Sequence, residues 1–290
     1  MIMPEIEFIQ TKSIRETLEI LAAQRRSARI IAGGTDIIPG MRQNSSRFKG
    51  IKKLIDINHL SGLTSILRRN DRLHIGAAVT FSRIAKDKKV LQMFPLLANA
   101  AGKIGSVQIQ NRATIGGNCV NNAPCADSVP PLLVYNARLK IISLRGTRHI
   151  SLDQFLKGSY STQLRSDELV SAVILPVTPP GYRGVFYKLG RRRGVAVSRI
   201  SLAILLKYSR GKIVDLRVAS GAVTPIGVRL AGVEQMIIGQ IPKTELLKDL
   251  ASTLGEEILK ITGVRWSTPY KLPVVQQVFY QLINELIETK

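Results

Sequence analysis

The sequence predicts a mixed α+β fold in two parts, on three observations. A capped amphipathic helix leads into a short apolar strand that ends in a glycine loop. Further apolar and alternating runs of strand length follow. After a proline-rich segment, strands are succeeded by helices, the order expected of an α+β unit. A chain of 290 residues with 45% apolar residues, 23 glycines and 13 prolines has enough material for a sizeable core punctuated by loops.

The elements read off in order. Ser13, with Glu16 three residues on, forms a capping box, and Ile14, Leu18, Leu21 and Ala22 recur at helical spacing. Residues 28–31 read as a short buried strand, with further strands near 53–57 and 73–78. Thr80 is placed to cap a short helix holding Phe81 and Ile84, and Pro95 to open another with Leu96, Leu97 and Ala100 on one face. Residues 113–120 are too polar and glycine-rich for an ordinary strand and suit a ligand-bearing loop. Strand patterns recur at 138–143, 169–175, 184–189, 201–208 and 213–222, and helices at about 243–261 and 273–288 close the chain. Pro176, Pro179, Pro180 and Gly181 form the most linker-like segment, so the boundary is expected between 176 and 177, with the first part itself divided near residue 58.

Two glycine pairs carry the chemistry. Residues 30–36 read Ile-Ile-Ala-Gly-Gly-Thr-Asp, and residues 114–118 read Thr-Ile-Gly-Gly-Asn. Adjacent glycines admit positive φ, let backbone N–H groups converge and allow a ligand close to the main chain. One such loop alone is a common turn; two together could hold a group such as a dinucleotide pyrophosphate.

The contexts of these loops resemble a known family. Residues 32–39, 54–57, 73–77, 108–112 and 114–127, with Pro130, Pro131, Leu132 and Leu133 after them, look like its successive signatures. The chain is similar to the FAD-binding (medium) subunit of the molybdenum hydroxylases, among them xanthine, carbon monoxide and nicotinate dehydrogenases. The resemblance implies a two-part FAD-binding domain over 1–176, of the fold shared with vanillyl-alcohol oxidase, and a smaller α+β domain over 177–290. It implies an oxidoreductase subunit with non-covalent FAD. Partners would be a large molybdopterin-binding subunit and a small [2Fe–2S] subunit, with electrons leaving to NAD+ or another acceptor. Carried over by position, Ile30, Ile31, Ala32, Gly33, Gly34, Thr35, Asp36 and Ile37 match the segment around the pyrophosphate. Thr114, Ile115, Gly116, Gly117 and Asn118 match the segment approaching it from the other side. Asp127 matches an aspartate at the flavin end, Val170 and Ile104 apolar positions by the ring system, and Lys188 a lysine beside the flavin. Asp127 also suits capping of a helix starting near Val129, Val170 suits ordinary strand core, and Lys188 on a strand suits solvent. Asp36 suits the loop backbone better than FAD, since a carboxylate repels a pyrophosphate.

Departures from the family pattern are informative. Residues 191–194 read Arg-Arg-Arg-Gly, where relatives carry an acid nearby, which suggests an anionic electron acceptor. Gly263 stands where a closing motif has aspartate.

Other classes find less support. The net charge is +22, but the basic residues are scattered in short runs, and aromatics are only 5%, so no nucleic-acid site is expected. Cys119 and Cys125 cannot by themselves complete an iron–sulfur or zinc site and suit packing in a reducing compartment, or less simply a redox pair. His59, His74 and His149 lack metal-ligand spacing, and none lies in a glycine motif to attach a flavin covalently. No Gly-x-Gly-x-x-Gly, Walker A, Gly-x-Ser-x-Gly or His-Glu-x-x-His pattern occurs, so no catalytic residue of the chain's own is expected. No apolar run spans a bilayer, and the N-terminal residues are acidic where an export signal would be basic, which suggests a cytoplasmic protein. The alternatives are a self-contained FAD-dependent reductase of the same fold superfamily and a basic, non-enzymatic nucleic-acid binder.

Overall fold

The computed structural model describes residues 5–192 and 195–288. The chain begins β1 (Glu7–Gln10), α1 (Ile14–Gln24), β2 (Ala28–Ile31), α2 (Ile37–Arg42), β3 (Lys53–Asp56), β4 (Ile66–Arg69) and β5 (Arg72–Gly76). Helices α3 (Phe81–Lys86), α4 (Lys88–Met93), α5 (Pro95–Gly102), α6 (Val107–Arg112), α7 (Ile115–Asn121) and α8 (Val129–Val134) follow. Then come β6 (Arg138–Ser143), β7 (Gly146–Ser151), α9 (Leu152–Phe155), β8 (Leu156–Gly158), β9 (Ser161–Thr162) and β10 (Leu169–Pro176). The last part holds β11 (Tyr182–Gly190), β12 (Ser198–Ser209), β13 (Lys212–Gly221), β14 (Val228–Arg229), α10 (Ala231–Ile237), α11 (Thr244–Thr262) and α12 (Thr268–Glu288).

These elements form two units. The first comprises the chain up to Asp87, Ser106–Asn122 and Asn136–Val177. It contains a parallel sheet ordered β1-β3-β2 and an antiparallel sheet ordered β4-β5-β10-β6-β7. Parallel strands need crossover connections: α1 lies in the one from β1 to β2, which flank β3, and α2 in the one from β2 to its neighbour β3. The start of α1 is fixed by Ser13 Oγ, which accepts from Glu16 N–H at 3.1 Å, while Glu16 Oε2 accepts from Lys12 N–H at 2.6 Å. The glutamate thus reaches one residue beyond the cap, a shifted version of the expected box. Leu18 and Leu21 of α1 pack with Ile55, Ile57, Leu60 and Leu63, so one helical face and the β3 strand share a core.

The second unit comprises Lys88–Gly105, Ala123–Tyr135 and the chain from Thr178 onward. Its antiparallel sheet runs β11-β12-β13-β14. Leu202, Ile204 and Leu206 of β12 pack against Leu250 and Leu254 of α11 and Phe279 and Ile283 of α12. Burying such side chains contributes roughly 1.5–3 kcal/mol apiece relative to exposure. Gly184 allows a close approach here, since a Cβ would meet Leu96 Cδ1 at 2.7 Å and Ile204 O at 2.8 Å.

The two units interleave along the chain, and two local elements differ from the sequence reading. Helices α5 and α8 pack with the second sheet, and α4 packs with α5, so these stretches before residue 177 group with the second unit. Residues 113–120 form not a loop but mostly the helix α7, whose N-cap Thr114 accepts from Gly117 N–H at 3.2 Å. A local cap and close packing outweigh two glycines of poor helix propensity. The final helix begins at Thr268 rather than 273 and carries Pro273 inside it.

Candidate functional site

A cavity of about 560 Å³ lies within the first unit, in the ordinary size range for small-molecule sites. It sits where the chain leaves the C-terminal end of the parallel strand β2, the place where open parallel sheets hold ligands. Ile30, Ile31, Ala32, Gly33, Gly34, Thr35, Asp36 and Ile37 all line it, as do Thr114, Gly116, Gly117, Asn118 and Val170. Sequence-distant segments are therefore brought to one wall.

The two glycine pairs do different work. Gly33 brings the segments together: a Cβ there would lie 2.2 Å from Arg112 O and 2.8 Å from Ala113 Cα. Gly34 has φ +71°, the left-handed region that glycine enters without penalty. Among the described residues, the N–H groups of Gly33, Gly34, Thr35 and Asp36 have no acceptor. In the second segment the amides are used internally. Ile115 N–H donates to Val79 O at 3.0 Å and Gly116 N–H to Ala77 O at 2.9 Å. Gly116 is a packing glycine, with Ala77 Cβ 2.5 Å from where its own would be. Donors thus come from the first loop, and the second forms a fixed wall. Residues in such a turn with unpaired N–H groups attract anions.

The electrostatics agree. Arg25, Arg26, Arg29, Arg47, Lys49 and Arg165 line the cavity against two carboxylates, Asp36 and Glu168. Glu168 is already paired, its Oε2 accepting from Arg148 Nη2 at 2.7 Å and from Arg165 N–H at 2.9 Å. Asp36 opens onto the cavity, yet the protein packed around it pushes its carboxyl up, opposed by the charge of Arg47. Burial pulls Arg29 down, and the neighbouring Arg47 cation adds to that. A cluster of cations with few counter-charges is relieved by an anion. None of the three histidines lines the cavity.

Val170 is buried in β10, where the pairing with β6 is irregular between Val170 and Ala172. An extra residue of that kind re-aims a side chain, here onto the cavity wall. Ile115 is fully buried and does not line the cavity. The signals that sequence reading missed are the cations and Tyr160, which come from segments with no motif of their own.

Ile104, Asp127 and Lys188 belong to the second unit, where Asp127 and Lys188 form an ion pair. Lys188 Nζ donates to Asp127 Oδ2 at 2.6 Å and to Lys103 O at 2.8 Å, and Ser198 Oγ donates to Asp127 Oδ1. Asp127 is 5% exposed, and burial pushes its carboxyl up against the pull of Lys188. Lys103 is pulled down by burial and by the charge of Lys188. Asp127 does not cap α8; the N-cap position is Ser128. Lys188 does not point to bulk solvent, its side chain being 10% exposed. Ile104 is buried beside Lys103.

Cys119 is fully buried, and burial pushes its thiol up to about 12. It is a packing residue rather than a nucleophile. Native protein is expected to leave Cys119 unmodified by iodoacetamide at pH 8, with labelling only after denaturation; rapid labelling of the native chain, located by peptide mapping, would contradict this. Among the described residues, no cluster of His, Cys, Asp and Glu could hold a metal ion, and no helix is long and apolar enough to cross a membrane. In the 191–194 run, Arg192 Nη2 donates to Val195 O at 2.8 Å, while Arg193 and Gly194 lie outside the described residues.

Comparison with known proteins agrees with this geometry. Residues 4–178 match the family described as the FAD binding domain in molybdopterin dehydrogenase, and residues 185–286 the CO dehydrogenase flavoprotein C-terminal domain. The chain is 30% identical over 268 residues to the xanthine dehydrogenase FAD-binding subunit of Escherichia coli O157:H7, covering 92% of this chain and 91% of that one. It is 31% identical over 284 residues to the glyceraldehyde dehydrogenase medium chain of Sulfolobus acidocaldarius, covering 98% and 99%. The solved carbon monoxide dehydrogenase of Hydrogenophaga pseudoflava superposes with a TM-score of 0.92 at 26% identity, covering 99% of each chain. Glycine loop, cation-lined cavity and full-length similarity all lead to one assignment: the chain belongs to the family of FAD-binding subunits of the molybdenum-dependent dehydrogenases, which are oxidoreductases.

Proposed function

We propose that this chain holds FAD non-covalently in the cytoplasm. It would relay electrons from [2Fe–2S] clusters on a small partner subunit to NAD+ or another external acceptor. The substrate would be hydroxylated on a large, molybdopterin-binding partner. One observation carries the cofactor reading: four unpaired backbone amides, from Gly33 to Asp36, open onto a cavity lined by six cations. That donor set fits a diphosphate, which carries two negative charges and needs several short hydrogen bonds. Bound FAD supplies an electron store that can be filled singly and emptied in pairs.

The residues then divide the work. Gly33, Gly34, Thr35 and Asp36 would hold the diphosphate through their main chain, with Thr114, Gly116, Gly117 and Asn118 as the facing wall. Val170 would supply an apolar surface for the ring system, and Ile104 a second. Lys188, held by Asp127, would favour negative charge on the reduced ring by Coulomb attraction. The basic run at 191–193 supports an acceptor that is itself anionic.

A visible absorption spectrum of the purified chain, before and after adding FAD and desalting, tests the reading. The expected result is one flavin per chain, released intact by acid. A chain that stays colourless after reconstitution would overturn it.

A further inference from the structure

Arg47 stands in the wall of the same cavity, and its surroundings suit a ligand contact. The guanidinium carbon lies 3.9 Å from the centroid of the Tyr160 ring and 4.9 Å from that of Phe48. One donor is engaged: Nη1 donates to Asn121 Oδ1 at 3.0 Å. Among the described residues, its other N–H groups have no acceptor, and no carboxylate forms an ion pair with it. Its charge nevertheless reaches Asp36 in the first glycine loop, where it opposes the effect of burial. A guanidinium fixed in plane with N–H groups to spare is suited to forked binding of phosphate oxygens.

Tyr160 is itself held in place. It sits in the turn between β8 and β9 with φ 58°, a conformation that bulky residues rarely adopt. Its N–H donates to Asn122 O at 2.9 Å. Asn122 Nδ2 in turn donates to Gly158 O at 2.8 Å and Ser161 O at 3.0 Å, fastening the turn to the end of α7. The same helix end thus places both the ring that Arg47 lies on and the Asn121 oxygen that it donates to. Backbone of this kind, over-determined by its neighbours, is typical of positions where geometry matters.

We propose that Arg47, held face-on by Tyr160, is the residue through which this cavity binds the diphosphate of a dinucleotide, supplementing the free amides of residues 33–36. The proposal rests on the FAD reading above. Tyr160 acts as a positioning residue: it touches the guanidinium, and its ring rather than its hydroxyl matters.

The test is the affinity of the full-length chain for FAD, ADP and adenosine, by calorimetry, in the wild type and in Arg47→Met, Tyr160→Leu and Tyr160→Phe. Losing charge-assisted hydrogen bonds to a phosphate is expected to weaken FAD and ADP alike by about 10- to 100-fold. Adenosine, which has no phosphate, should bind Arg47→Met as it binds the wild type. Tyr160→Leu should show a smaller loss of the same pattern, and Tyr160→Phe none. The FAD affinity of Arg47→Met should also depend less steeply on salt. Each variant's unfolding transition without ligand reports folding separately, Arg47 and Tyr160 both being exposed. If the wild type binds FAD and Arg47→Met binds FAD and ADP within about threefold of it, the proposal is overturned while the cofactor reading stands. If the wild type binds no FAD, both fall.

Discussion

Gly33→Ala is expected to abolish flavin retention and to destabilise the first unit. The added Cβ would lie 2.2 Å from Arg112 O, 2.7 Å from Arg112 C and 2.8 Å from Ala113 Cα, all of them main-chain atoms. No rotamer change removes such a clash; the two cavity-lining segments must separate. Overpacking of a tight interior costs about 1–3 kcal/mol, and displacing Gly33 also moves the free amides that define the site. The neighbouring glycine is the control. Gly34→Ala would meet only Ile31 Cδ1 at 3.3 Å and Ile38 Cγ1 at 3.4 Å, both able to give, and would bear the cost of its φ of +71°. That cost is roughly 1–2 kcal/mol. Flavin content and denaturant unfolding of the two variants separate the cases. Gly33→Ala should emerge colourless, whereas Gly34→Ala should reload on adding FAD. Equal flavin content in Gly33→Ala and the wild type would mean that the close approach of the two segments is not what builds the site.

This contrast marks what the sequence made legible. Patterns within one element read well: the Ser13 cap, the strand at 28–31, the long alternating strands and the two closing helices are all set by local spacing. Both glycine pairs were visible as special, but not the difference between them. Whether an amide is spare depends on what lies opposite, and Ala77 and Val79, which accept from Gly116 and Ile115, carry no mark of that role. Arg47 and Tyr160 were invisible for the same reason, since their stacking is made by tertiary structure alone. Asp127 and Lys188 stood out only by resemblance. Their pairing, across 61 positions, arises because the Asp127 and Lys103 segments both pack with the β11–β12 sheet, an interleaving that no linker composition announces.

Lys188→Met is expected to destabilise the second unit by about 3–5 kcal/mol near neutral pH, the usual cost of leaving one buried partner uncompensated. Asp127 is 5% exposed and would keep only the Ser198 hydroxyl as a direct side-chain partner. Its carboxyl, already raised by burial with Lys188 opposing that rise, would rise further once the ammonium is gone. A carboxyl whose folded pKa lies above its unfolded value binds its proton more tightly in the native state. Its linked contribution is therefore full below the unfolded pKa and is lost as pH climbs through the raised folded one. The variant should consequently come closest to the wild type in acid and fall away as pH rises from about 4. Asp127→Asn in the same chain removes the charge that needs a partner, so the double variant should recover much of the loss and show little pH dependence. Urea unfolding of the single and double variants between pH 5 and pH 8 reads all of this. A Lys188→Met loss that stays constant with pH, or that Asp127→Asn fails to relieve, would show that the Lys188 stem rather than its charge supports this cluster, and with that the electrostatic role assigned to the pair would fall.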